Sequence, residues 1–339
     1  MELVKQQYRS PEIYGDYWLN SDPLPISALR GNVVLLDFWD ATCPICFRGL
    51  PYVKEWQRRY SDLGLVVIGV HSPKFPFEKD PAYVERIVRQ QDILYPVVMD
   101  NDLLIQNLFR TRLLPSRCLI DKNGFVRYIH EGEGSYQAFE TSIQSLIAEV
   151  GYRGEFPMLM EPLRDDDRPG VHCHRATPEI FVGYQKGTIG NMEGYFPQAV
   201  HGYHDPGVYI EGRIYLHGDF FVDKNFVKLD TEDPGEGKII LRYQAKEVYA
   251  VIDAIGETNY QVFVTQDEKY LSPDVAGKDI KIDDTGRSYI IVTGQKLYNV
   301  ANNVEYGEHI LKLTSRSSGF AFYAASFISA PIGASISRN

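Results

Sequence analysis

Residues 33–46 read Val33-Val34-Leu35-Leu36-Asp37-Phe38-Trp39-Asp40-Ala41-Thr42-Cys43-Pro44-Ile45-Cys46. Apart from Asp37 the first seven are apolar, the pattern of a parallel strand buried on both faces. A helix is predicted from Pro44 to about Tyr60, with Pro44 in its first turn, where a missing N–H costs nothing. Two cysteines two residues apart thus fall at the junction of a buried strand and a helix N-terminus. A CxxC in that place points to redox chemistry. The helix aims unpaired N–H groups and the positive end of its dipole at the first sulfur. A cysteine with an ordinary pKa of ~8.5 is mostly protonated at neutral pH, so this placement favours the reactive thiolate. Cys43 is expected to be the accessible nucleophile, and Cys46, one turn inward, the buried thiol that resolves the mixed disulfide. A structural zinc site would need two more soft ligands with their own spacing. Cys118 and Cys173 are far apart and form no second pair.

Outward from this stretch the strand and helix signals alternate. Leu65–Val70 reads as a second buried strand, Pro81–Gln91 as a helix, Tyr95–Met99 as a short strand and Asp102–Phe109 as a short helix. Cys118–Ile120 and Phe125–Ile129 form a hairpin around Asp121-Lys122-Asn123-Gly124, Asn-Gly being the strong turn signal. Tyr136–Val150 closes the unit as an amphipathic helix. The order βαβ then ββα is that of a thioredoxin-like α/β fold, expected over residues 1–150.

Residues 151–178 lack periodicity, hold four prolines and carry the charge run Arg164–Arg168; they read as a linker ordered against both domains. From 179 to 339 the period changes. Short β-branched and aromatic runs recur between turn signals: Gly207–Glu211, Arg213–His217, Lys238–Tyr243, Val248–Ile252, Tyr260–Thr265, Ser288–Thr293, His309–Leu313 and Ser318–Ala325. Such spacing predicts an all-β sandwich. Its many Tyr and Phe rings are open to two readings, a sugar-stacking platform or sandwich core.

The formal net charge is −10. Residues 1–150 hold 16 Lys+Arg against 19 Asp+Glu, or −3, which leaves −7 for the rest. An acidic chain without a basic stripe argues against nucleic acid and anionic membranes as partners. No apolar run approaches the ~20 residues that span a bilayer. Met1–Ser21 is polar and does not read as a secretory leader. A complete chain would therefore be cytoplasmic, and a piece of a longer protein periplasmic or extracellular. His172-Cys173-His174 and His201-x-x-His204 contain metal-ligand types, but polar packing between domains would look the same; no metal and no cofactor is expected. Cys118 reads as a small buried group within a strand. Cys173 has no assigned place.

The segment from Asp37 to Cys46, followed by Pro51, resembles the thioredoxin active-site segment in register. Trp18-Leu19-Asn20-Ser21 with Leu29–Trp39 resembles the TlpA-like redoxins. Gly69-Val70-His71-Ser72-Pro73-Lys74-Phe75 and Glu131-Gly132-Glu133-Gly134-Ser135-Tyr136 are similar to the DipZ-like subgroup, as are Thr177–Tyr184 and Lys296-Leu297-Tyr298 in the second half. The resemblance implies a thioredoxin domain followed by a carbohydrate-binding-module-like β-sandwich of jelly-roll, galactose-binding-like type. It implies that Asp37 lies beneath the cysteines and moves the proton of the inner thiol. It also implies that Pro115 is the cis-proline facing the disulfide, and that Pro51 kinks the helix. Trp39, Pro44 and Ile45 complete the surroundings. One departure is Thr42, where the family has tryptophan, which alters the surface beside the site.

The expected function is thiol–disulfide oxidoreduction, as a reductase, with a disulfide-containing protein as substrate and a thiol as electron donor. A glycan or protein ligand would occupy the sandwich. A thiol peroxidase and a binding or scaffold protein with a vestigial redox site are the alternatives. Asp37 sits among apolar residues, so desolvation should raise its pKa. Asp37→Asn is expected to slow turnover while stability stays level or rises.

Overall fold

The computed structural model describes residues 2–15, 17–230 and 235–332, with side chains from residue 8. It divides into two compact units, Met1–Val171 and His172–Asn339. No described helix is long and apolar enough to cross a membrane.

The first unit comprises β1 (Glu2–Arg9), β2 (Trp18–Leu19), β3 (Val33–Trp39), α1 (Pro44–Tyr60), β4 (Leu65–His71), α2 (Pro81–Gln90), β5 (Val97–Met99), α3 (Leu104–Leu108), β6 (Ser116–Ile120), β7 (Phe125–Glu131) and α4 (Tyr136–Val150). The seven strands form one sheet in the order β1-β7-β6-β3-β4-β5-β2. β3 is parallel to β4 and antiparallel to β6. Its central place explains its unbroken apolar run, because both faces are covered and every residue is buried. Val33, Leu35 and Trp39 face a core shared with Val53 and Trp56 of α1 and Phe139 and Ile143 of α4. Val34, Leu36 and Phe38 face the opposite core with Ile105 of α3. Period two therefore sends Asp37 to the α1 face. The hairpin turns on Gly124 at φ +78°, a left-handed conformation that favours glycine. Asp121 Oδ1 accepts from the backbone N–H of Asn123 and Phe125.

The segment after α4, expected as a linker, packs onto the first unit through residue 171. Met160 N donates to Glu140 of α4 at 2.8 Å. Leu163 N donates to the Tyr52 hydroxyl of α1 at 2.7 Å, and that hydroxyl donates to Asp167 Oδ2 at 2.8 Å. Arg48 of α1 pairs with Glu133 at 2.7 Å and also with Asp166. The charge run Arg164–Arg168 is thus part of a strap over the helix that carries the cysteines.

The second unit is β-rich. It holds β8 (Ile180–Phe181), β9 (Val200–Tyr203), β10 (Ile214–Val222), β11 (Val227–Leu229), β12 (Gly237–Ala254), β13 (Tyr260–Gln266), β14 (Lys269–Tyr270), β15 (Ile280–Ile282), β16 (Ser288–Val292), β17 (Lys296–Ser315) and β18 (Phe320–Ile328). The main path runs β15-β16-β13-β17-β12-β10-β11-β18-β8. Two runs read separately from sequence, Lys238–Tyr243 and Val248–Ile252, are one strand, β12. It stays paired with β17 across register shifts at Ala245/Glu247 and Val248/Tyr249, the places where a bulge lets one strand bend and continue. Gly207–Glu211 is not a strand. Val208 and Ile210 are exposed, and the Tyr209 hydroxyl is tied to Asp205 at 2.7 Å.

Candidate redox site

β3 leaves the sheet at Trp39, and Asp40–Thr42 carry the chain to the N-cap of α1. That N-cap is Cys43, in extended conformation with φ −98° and ψ 101°. Cys43 and Cys46 are joined in a disulfide with Cα atoms 5.2 Å apart. The backbone N–H of Cys46 donates to Cys43 Sγ at 3.1 Å, so one of the orphan donors of the helix N-terminus is spent on that sulfur. When the bond opens, Cys43 is the sulfur that faces the dipole. Exposure does not rank the pair, since Cys43 is 5% and Cys46 6% exposed in the disulfide form. The chemistry of this site is dithiol–disulfide exchange. Pro44 is buried at the first helical position and Ile45 half-buried. Pro51, within α1 and exposed, cannot donate to the carbonyl one turn back.

The loop before Cys43 is held by Asp40, Lys74 and Glu78, which sequence reasoning did not single out. Asp40 Oδ1 accepts from Thr42 N at 2.7 Å and Thr42 Oγ1 at 2.9 Å. Lys74 Nζ lies 3.2 Å from Asp40 Oδ2. Glu78 accepts from the backbone N–H of Lys74 and Phe75 at 2.7 and 2.9 Å. Burial, then the charge of Asp40, pushes Glu78 well above the usual carboxylate range, with Lys74 opposing. Thr42 was expected to alter the surface beside the site. It is fully buried with its hydroxyl on Asp40, so it presents no side chain at that surface. Trp39 meets His71 edge-on at 5.0 Å between centroids. Burial lowers the His71 imidazole to about 3, which keeps it neutral through physiological pH.

Asp37 of β3 and Arg117 of β6 are directly opposed across the sheet and project from the same face. They are 4% and 1% exposed. Arg117 Nε stands 3.3 Å from Asp37 Oδ1, an ion pair outside hydrogen-bond geometry. Burial raises the Asp37 carboxyl to about 6, against the pull of the Arg117 charge. Arg117 was missed from sequence. Pro115 is buried just before β6, after a cis Leu114–Pro115 peptide, and its carbonyl accepts from Gly132 N at 2.8 Å.

The other thiols lie elsewhere. Cys118 is fully buried in β6, opposite Leu36, and burial pushes its thiol up. Cys173 is exposed and bridges to Pro331 in the second unit. His174 stacks on Tyr306 and His201 on Phe196. No group of three or more His, Cys, Asp or Glu among the described residues is placed to hold a metal ion.

Comparison with known proteins supplies the lineage. Residues 19–143 match the Redoxin family and residues 177–327 the family described as thioredoxin like C-terminal domain. Protein DipZ of Mycobacterium bovis is 33% identical over 242 residues, 70% of this chain and 34% of DipZ. The chain thus spans about a third of the length of that relative. Thiol-disulfide oxidoreductase YkuV of Bacillus subtilis is 26% identical over 148 residues, 43% of this chain and 99% of YkuV. A thioredoxin-like protein solved in its oxidised form is 28% identical over 43% of this chain and 99% of its own, with a TM-score of 0.40. The first half of the chain is thus similar to the Redoxin family and the second half to the family described as thioredoxin like C-terminal domain.

Proposed function

We propose that the chain is a thiol–disulfide oxidoreductase that reduces protein disulfides. One observation carries this reading: the Cys43–Cys46 pair closes the N-terminus of α1 with the Cys46 N–H on Cys43 Sγ. In the reduced protein that N–H and the helix dipole stabilise the Cys43 thiolate, which attacks one sulfur of the substrate disulfide and releases the other as a thiolate. Cys46 then attacks Cys43 Sγ, re-forming the disulfide and freeing the second substrate thiol. Two electrons pass from the cysteine pair to the substrate, and an external thiol restores the pair. Asp37 takes the Cys46 proton. A carboxyl titrating at about 6 is ionised at neutral pH yet basic enough for that task. Pro115 faces the incoming disulfide.

In this reading the redox domain extends through the strap to residue 171. The second unit is a jelly-roll sandwich of galactose-binding-like type that docks the substrate protein or a glycan attached to it. The test is insulin reduction with dithiothreitol as electron source. Wild type should accelerate it, Cys43→Ser should abolish the acceleration, and Cys46→Ser should accumulate a mixed disulfide on Cys43. Wild type no faster than dithiothreitol alone would leave a binding protein with a vestigial pair.

A further inference from the structure

Beneath the first turns of α1 lies a set of buried polar groups. Asp37 Oδ1, Arg117 Nε, Tyr95 Oη and Tyr136 Oη all lack hydrogen-bond partners among the described residues. Arg117 is at their centre. Its guanidinium carbon is 5.2 Å from the centre of the Tyr136 ring. A Cβ on Gly49 of α1 would come within 2.1 Å of Arg117 Nη2, so the guanidinium presses on the helix backbone at Gly49. Gly49 is three residues after Cys46, and residues so spaced are neighbours on one helix face, with Cβ atoms about 5–6 Å apart. The cation therefore lies between the Asp37 carboxylate and the helix face that bears the resolving cysteine.

We propose that Arg117 is the positioning residue of the resolving step, a fixed cation that balances the negative charge on Asp37 before proton transfer and on Cys46 after it. This rests on the reading of Asp37 as the base. Before transfer the pocket holds a guanidinium, a carboxylate and a thiol. Afterwards it holds a guanidinium, a carboxylic acid and a thiolate, and the net charge is zero both times. The Cys46 thiolate then attacks Cys43 Sγ, the Cys43–Cys46 bond forms, the bond from Cys43 to the substrate breaks, and the substrate leaves as a thiolate that takes its proton from solvent. Without Arg117 the same pocket would hold one uncompensated negative charge throughout, which burial strongly disfavours. The other titratable groups facing Arg117 are Tyr95, Tyr136 and His130, its cross-strand partner on β7, while Glu133, Asp167 and Arg164 act on Tyr136. The His130 imidazole is held below its ordinary value by burial first and then by Arg117, so it brings no second cation at neutral pH.

The test titrates Cys46 in the full chain by the ultraviolet absorbance of its thiolate. The background is Cys43→Ser with Cys173→Ser, where buried Cys118 stays protonated over the range. Asp37→Asn is compared with Asp37→Asn/Arg117→Met, which removes both charges and leaves neither buried alone. The proposal expects the Cys46 midpoint to rise by at least about one pH unit in the double variant, a tenfold or greater change in proton affinity. It also expects Arg117→Lys, which keeps a cation, to hold the midpoint near that of Asp37→Asn. Equal midpoints with and without Arg117 would overturn the proposal and reduce Arg117 to packing. Failure of the oxidoreductase reading appears separately, as wild-type protein that does not accelerate insulin reduction.

Discussion

Asp37→Asn gives a stability signature that can be worked out from the site. Burial raises the native carboxyl from its ordinary 3.8 to about 6. The native state thus holds this proton more tightly than the unfolded chain does. The resulting stabilisation is complete below the unfolded value and is lost as pH rises through about 6. The difference of roughly 2.2 units at 1.36 kcal/mol each comes to about 3 kcal/mol. Asn keeps the shape and removes the titration. The assay is denaturant unfolding of the oxidised proteins at pH 4 and pH 7.5, followed by tryptophan fluorescence. Trp18, Trp39 and Trp56 are the chain's tryptophans and all lie in the first unit. At pH 4 native Asp37 is already neutral, so Arg117 faces an uncharged partner in both proteins and their stabilities should be close. At pH 7.5 the variant should be the more stable by about 3 kcal/mol, while its turnover is slower, most of all at neutral pH and less so in alkali. The opposing effect is the ion pair: removing one partner of a strong buried pair costs about 3–5 kcal/mol. A variant less stable than wild type at pH 7.5 would mean that the Arg117 attraction outweighs burial. Asp37 would then be a tightly held carboxylate, unfit to accept the Cys46 proton.

Gly49→Ala sets about 1 kcal/mol of helix propensity against a Cβ within 2.1 Å of Arg117 Nη2. Overpacking costs about 1–3 kcal/mol, so the same fluorescence transition should move to lower denaturant and insulin turnover should fall; a more stable, fully active variant would refute the close approach. Ending the chain after residue 150 removes Asp167 and Met160 from Tyr52 and Glu140. Each lost hydrogen bond is worth about 0.5–1.5 kcal/mol net, so the truncated first unit should lose at least about 1 kcal/mol, and an unchanged transition would make the strap dispensable. Residues 172–339 expressed alone should give a β-type circular dichroism spectrum without insulin-reducing activity; substantial helix or an unfolded chain would count against an independent unit.

What was legible in the sequence was local. The Val33–Trp39 strand, the Pro44–Tyr60 helix and the Tyr136–Val150 helix coincide with β3, α1 and α4, because hydrophobic period, a proline at the first turn and chain length fix each from its own residues. Long-range pairing was not legible. β12 and β17 run on through bulges that interrupt the apolar alternation, so sequence divided the first and recovered only part of the second. The partners of the strap were not legible because its carboxylates and backbone donors find them on α1 and α4, far away in the chain. Arg117 was hidden for the same reason, as a charged residue in a short strand reads as solvent-facing until its opposite number across the sheet is known. One residue did carry a trace of it. Glycine inside a helix is less favourable than alanine by roughly 1 kcal/mol, so Gly49, a turn after the second cysteine, is a cost with no local return. The return lies across the sheet, since glycine is the one residue that leaves room there for a guanidinium against the helix backbone. A glycine in the catalytic helix, read as a vacancy to be filled from elsewhere, would have sent the search for a partner to the strands beneath, and β6, which opposes Asp37, offers Arg117.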